Sequence, residues 1–316
     1  MKKRLISLFL LVVLTLISIY LFIPTRLEIS TVTVMKANTN ALFRYLSDEN
    51  KWEKWWPVDR EEESINANAP PRLNNYTYRV SKKLYNAVEI ETIQKNQLVP
   101  GKIIILPITE DSLIVQWKSS ITTSLNPFTR IEEYRDAVNV KKNMTVILNH
   151  LQSFIEDNER VYKFHIRHTT LKDTALVAIK VLTTSYPSIP FIYQHIKELR
   201  TYISSQKARE VDYPRLNITK KDSSHYEVMV AIPTNIPLPG EGNISFKRLL
   251  IYKDKTLTAD VTGGPENIKK AFDELSTYMS DYNLSSPVIP WETLITDRSK
   301  ETDSTKWITK IFILIA

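Results

Sequence analysis

The chain has 316 residues, no cysteine and only five glycines. The first absence excludes disulfides, thiol nucleophiles, thiolate zinc sites and cysteine-borne lipid anchors, and so few glycines cannot build the loop that cradles a nucleotide phosphate. The formal charge of +7 is spread in short pairs such as Lys82-Lys83, Lys141-Lys142 and Lys220-Lys221, unlike the clustered basic and aromatic pattern of a nucleic-acid surface, and the length leaves room for about two domains.

Residues 5–23, LISLFLLVVLTLISIYLFI, carry no charge over nineteen positions, the length of a bilayer-spanning helix. Bulky Tyr20, Leu21, Phe22 and Ile23 close the run where a cleaved signal would need small residues. The segment is therefore expected to be an uncleaved signal anchor, residues 1–26. Lys2, Lys3 and Arg4 before it outweigh Arg26 after it, which orients the amino end to the cytoplasm and the rest of the chain outside it.

Residues 27–34 alternate as a strand, and Asn38 caps a short helix, ALFRYLSD. KWEKWWP at 51–57 follows, then a polar loop over 61–75. Strands are predicted at 76–81, 87–95, 101–108 and 112–123. A long helix over 130–157 presents Ile131, Tyr134, Val138, Met144, Ile147, Leu148, Leu151, Phe154 and Ile155 on one face.

This segment, 27–158, resembles the START-like (polyketide cyclase/SRPBCC) helix-grip fold. The carrying residues are Leu42, Phe43, Leu46, Asp48, Trp52 and Trp55 within VTVMKANTNALFRYLSDENKWEKWWP at 32–57. The resemblance implies a cavity between sheet and long helix for a hydrophobic ligand, with Trp52, Trp55 and Trp117 as its candidate lining. The plainer alternative is that the tryptophans are packing residues.

The remainder, 159–316, reads as strands at 161–169 and 174–184, a helix from Pro190 to about 205, strands at 215–219 and 226–233, and an added strand at 243–252. A strand at 256–262, the Gly263-Gly264-Pro265 turn into a helix, and strands at 291–296 and 306–315 follow. Here the chain repeats itself. IYQHIKELRTYISS at 192–205 aligns without gaps on IKKAFDELSTYMSD at 268–281, with Glu198/Glu274, Leu199/Leu275, Thr201/Thr277, Tyr202/Tyr278 and Ser204/Ser280 identical. Each copy then runs to a proline and a strand, Pro214 and Pro290. Duplicated strand-helix-strand-strand units leave a cleft between halves, where small ligands sit.

This layout, with GGPENIKKAFDELSTYM at 263–279, PWETLITD at 290–297 and KWITKIFILI at 306–315, resembles the GyrI-like effector-binding domain of AraC- and MerR-type drug-responsive activators. No helix-turn-helix precedes it, so direct nucleic-acid binding is not expected. The resemblance places an acid at the base of the cleft, here Glu292, to pair with a cationic ligand. Trp291, Tyr226, Tyr186 and Trp307 are the available aromatic partners. Strand alternation sets Trp291 and Glu292 on opposite sheet faces, so Trp291 reaches the cleft only at a rim or through a bulge. The alternative for Glu292 is an internal salt bridge with a lysine such as Lys310.

The five histidines, His150, His165, His168, His195 and His225, show no ligand spacing, so no metal is expected, nor any cofactor. Ser204 and Lys207 match S-x-x-K without its companion motifs. The expected protein is α+β and membrane-anchored, a helix-grip unit before a duplicated one. Its expected role is binding or sensing a small hydrophobic or amphipathic ligand. A hydrolase using Glu292 as general base and a scaffold with vestigial cavities are the other two readings.

Overall fold

The computed structural model describes residues 2–57, 70–94, 97–171, 174–249 and 256–316. The chain is α+β with antiparallel sheets, and it divides into two compact units, Met1–Asp157 and Asn158–Ala316.

Unit one opens with α1 (Lys2–Phe22), of which Arg4–Phe22 is long and apolar enough to cross a membrane, none of it buried. Its end is tied to the unit. Arg130, 2% exposed, donates through Nε to the Ile23 carbonyl at 2.8 Å and lies 5.0 Å from the centre of the Tyr20 ring. A cation there meets the negative end of the helix dipole.

Then follow β1 (Arg26–Met35), α2 (Thr39–Leu46), a 3-10 turn (Glu49–Lys54), β2 (Arg72–Leu73), β3 (Tyr76–Lys83), β4 (Ala87–Gln94), β5 (Gln97–Thr109), β6 (Ser112–Thr122) and α3 (Pro127–Ile155). The sheet runs β1-β6-β5-β4-β3-β2, and α3 packs on β1 and β6. The Asn38 side chain accepts from the backbone N–H groups of Asn40 and Ala41, as expected of an N-cap.

Two expectations change here. The polar stretch 61–75 lies partly outside the described residues, but its end is a strand and a tight turn, with Asn74 and Asn75 at φ 50° and 64°. Asparagine tolerates that left-handed geometry. The long helix starts earlier, because Asn126 caps Phe128 and Thr129 and Pro127 takes the first position. Tyr134 and Val138 are exposed. Arg130, Ala137, Val140 and Asn143 hold the buried face instead, with Glu133 accepting from Ser124 N at 2.6 Å. Buried polar groups are held there by specific hydrogen bonds, which a reading of apolar spacing does not register.

Unit two contains α4 (Asn158–Tyr162), β7 (Ile166–Thr169), β8 (Thr174–Thr183), α5 (Ile189–Ser205), β9 (Arg215–Lys220), β10 (Tyr226–Thr234), β11 (Ile244–Leu249), β12 (Thr256–Thr262), α6 (Pro265–Asp281), β13 (Trp291–Leu294) and β14 (Ile308–Leu314). The strand expected over 161–169 is corrected: Val161 and Tyr162 belong to α4, both buried, and only Ile166–Thr169 pairs, with β12. The end of the strand expected at 243–252 lies outside the described residues.

The duplication is written into the sheet. Its order is β11-β8-β10-β9-β13-β14-β12-β7. Strands β8, β9 and β10 of the first copy correspond to β12, β13 and β14 of the second, so the order reads alike from both ends. The spacing that carries Ile192 onto Ile268 also carries Leu216 onto Glu292, and these two residues are direct partners between β9 and β13. The pseudo-two-fold axis therefore passes through the Leu216/Glu292 pair. One sheet face packs on α5: Val177, Ile179, Val228, Val230 and Ile232 meet Ile192, Ile196, Leu199 and Ile203. Burying side chains of this size contributes roughly 1.5–3 kcal/mol each. Gly263, at φ 121°, makes the turn into α6.

Candidate functional site

Glu292 stands on the helix-bearing face at that axis, two residues before Leu294 of the α5 core. It is 7% exposed. Its partner comes from the β13–β14 hairpin. Asp297 accepts from Ser299 N and Asp303 from Thr305 N, two Asx turns that curl the hairpin back over the sheet. Tyr193 of α5 pins it, accepting from Arg298 N at 2.6 Å. The Arg298 guanidinium is thereby delivered to the sheet face, where Nη2 donates to Glu292 Oε2 at 2.6 Å and to Thr309 Oγ1 at 2.8 Å. Its Cζ lies 4.9 Å from the centre of the Trp307 ring, and Trp307 donates its indole N–H to the Glu301 carbonyl.

Burial pushes the Glu292 carboxyl above its ordinary range, and the Arg298 charge and hydrogen bond pull it part of the way back. The Tyr186 hydroxyl is raised first by the loss of water around it and then by the Glu292 charge, although much of the ring stays open to solvent. The residue is more than half exposed and meets Tyr226 edge to face, with ring centres 5.7 Å apart. The internal-pair alternative is thus realised with a different cation: Lys310 goes to Asp260 at 3.4 Å, and Arg298 holds Glu292. Spacing could not have singled out Arg298, because it sits in a turn with no periodicity.

The structure gathers Glu292 and Trp307 around Arg298, with Tyr186 close enough to feel both charges and Tyr226 touching Tyr186 on its far side. Trp291 stands apart from them. It points to the opposite face, as alternation requires, and stacks on Phe312 at 5.5 Å and 12°. Chemically, a buried carboxylate and an indole face form a receptor for one planar or diffuse cation, and in this chain that cation is a guanidinium.

Trp52, Trp55 and Trp117 lie in the interior of unit one, each at most 3% exposed. Trp52 stacks on Trp56 at 4.8 Å and 1°, and Tyr78 links Trp56 to Trp117. The indole N–H groups of Trp52, Trp55 and Trp56 donate to the carbonyls of Leu46, Tyr45 and Arg72. The first two satisfy acceptors at the end of α2. The cavity bounded by Tyr76, Gln94, Glu133 and Val140 in this unit measures about 30 Å³, room for about one water. Among the described residues no cluster of His, Asp or Glu could hold a metal. His165 pairs with Glu159 and His168 with the Tyr278 hydroxyl.

An antiparallel α+β chain carrying a duplicated strand-helix-strand-strand unit is the class that fold and site define. No family profile matches the chain, nor does any curated protein. Solved structures give distant likenesses. The EcmrR–DNA complex is 15% identical over 60% of this chain and 70% of that one, with a TM-score of 0.43. The C-terminal domain of EcmrR is 15% identical over 48% and 98%, with a TM-score of 0.40. The di-domain ARO/CYC BexL from the BE-7585A biosynthetic pathway is 10% identical over 92% and 85%, with a TM-score of 0.32.

Proposed function

We propose that this protein is a membrane-anchored small-molecule receptor whose second unit binds a lipophilic cation at Glu292, in place of the Arg298 guanidinium. The observation that carries the reading is the filled cation box at the pseudo-two-fold axis: a carboxylate, a cation and the Trp307 face, with Tyr186 at its rim. A buried charge is retained only with a partner, and an organic cation of matching size can replace an internal one.

The test uses the full chain in lipid nanodiscs and phenylguanidinium, whose headgroup matches the one it displaces, read as a melting-temperature shift against empty discs. Selective binding to the folded state raises stability. The wild-type chain is expected to respond weakly, because the ligand must displace Arg298. Arg298→Met is expected to bind about tenfold more tightly, and Glu292→Gln not at all. Absence of binding in Arg298→Met would remove the reading.

Helix α1 is the proposed anchor, with its amino end in the cytoplasm and both units beyond the membrane. The chain lacks cysteine, so a single introduced thiol reports topology cleanly. Tyr85 is fully exposed. Tyr85→Cys is expected to react with a membrane-impermeant maleimide on intact cells; labelling only after lysis would reverse the orientation.

A further inference from the structure

The sheet face of unit two opposite α5 has its own cavity, of about 330 Å³, within the size range of small-molecule sites. Its apolar wall includes Leu176, Met229, Leu249, Val288 and Ile289. Its polar side is of one sign. Arg215, Lys180, Lys247 and Arg248 line it, and among the described residues no carboxylate does. Lys180 is already paired with Glu227 at 2.8 Å.

Arg215 is the unusual member. It is 8% exposed, and among the described residues its nearest acid is Asp212 at 3.7 Å and its Nε has no hydrogen-bond partner. Its repeat mate is Trp291, and the guanidinium carbon lies 5.2 Å from the centre of that ring. The Trp291 indole N–H is likewise buried without an acceptor among the described residues. Asn217, beside them, is already satisfied: its amide donates to the Pro290 carbonyl, and its oxygen accepts from Thr219. The unsatisfied buried groups lining this cavity are thus both donors. An unmade hydrogen bond of this kind is costly, and an anionic group beside the Arg215 guanidinium supplies the close charge partner that Asp212, at 3.7 Å, does not.

We infer that this cavity binds an amphipathic carboxylate, its headgroup on the Arg215 guanidinium and its apolar tail along Leu176, Met229, Val288 and Ile289. The site lies on the face opposite Glu292 and selects the opposite charge, so it stands independently of the cation reading.

The experiment measures affinities of the full chain, in phosphatidylcholine nanodiscs, for three probes that share a tail: 4-butylbenzoate, 4-butylbenzyl alcohol and 4-butylbenzylammonium. The benzoate is expected to bind about tenfold more tightly than the alcohol, and the ammonium more weakly than either. Arg215→Met is expected to bring the benzoate down to the level of the alcohol. Equal affinities for the three headgroups, or no benzoate binding at millimolar concentration, overturns the inference, as does unchanged affinity in folded Arg215→Met. The headgroup comparison needs only the wild-type chain, so it decides even if that variant does not fold. Adding phosphatidylglycerol to the discs separates two sources of the same chemistry. Competition with the benzoate points to an anionic lipid, and its absence to a free carboxylate; the anion site stands in both cases.

Discussion

Arg298→Met is expected to destabilise the second unit by about 3–5 kcal/mol, the usual cost of stranding one member of a buried ion pair, and the loss is expected to deepen as pH rises. Glu292 and Arg298 are 7% and 6% exposed, so neither charge is screened by solvent. Burial already raises the Glu292 carboxyl, and Arg298 supplies both influences that lower it. Removing Arg298 leaves the upward push unopposed. A carboxyl raised in the folded state binds its proton more tightly there than in the unfolded chain. Its stabilising contribution is complete below the unfolded value, near 4.3, and is lost as pH climbs through the raised folded value. The slope approaches about 1.4 kcal/mol per pH unit while the folded chain keeps the proton. The variant's melting-temperature deficit is therefore expected to be small at pH 5 and on the order of 10 °C at pH 8. A deficit independent of pH would mean that Glu292 stays charged by finding another partner. Glu292→Gln combined with Arg298→Met is expected to cost less than the sum of the two, since no charge is then stranded.

The same pair marks where sequence reasoning stops. The duplication was legible because it is local. The helix face repeated between Ile192 and Ile268, and the proline-strand sequel of each copy, follow directly from residue order, and the mirrored strand order of the sheet bears them out. Alternation alone placed Trp291 and Glu292 on opposite faces. The partner of Glu292 was not legible, because the Asx turns at Asp297 and Asp303 decide where Arg298 goes, and no periodicity encodes that path. For the same reason apolar spacing does not find the buried face of the early turns of α3. Arg130 and Asn143 are buried because the Ile23 and Leu73 carbonyls and the Tyr78 hydroxyl are there to meet them, and those acceptors come from distant parts of the chain. Arg215 meets Trp291 because the sheet register, which pairs Arg215 with Thr293, leaves Trp291 on its diagonal.

Trp52→Ala is expected to cost the first unit about 3–5 kcal/mol, in the range for truncating a large buried aromatic. Trp52 is 1% exposed, lies flat against Trp56 at 4.8 Å, and gives its N–H to Leu46 at the end of α2. Truncation removes the stack, opens a cavity among the aromatic rings and leaves that carbonyl without its donor. Trp52→Phe keeps much of the stacking area and loses the hydrogen bond, so about 1–3 kcal/mol is expected of it. The melt of the full chain in nanodiscs checks both. The contrast matters for function, because a tryptophan lining a working ligand cavity would be nearly neutral to stability and costly to binding. If the ring stack is the core itself, the hole left by Trp52→Ala is dry and apolar, and indole is expected to fill it and restore part of the lost melting temperature. A mild effect of Trp52→Ala, under about 1 kcal/mol, would instead show that the aromatic cluster yields easily, as a ligand cavity's wall must, and would return unit one to the list of binding sites.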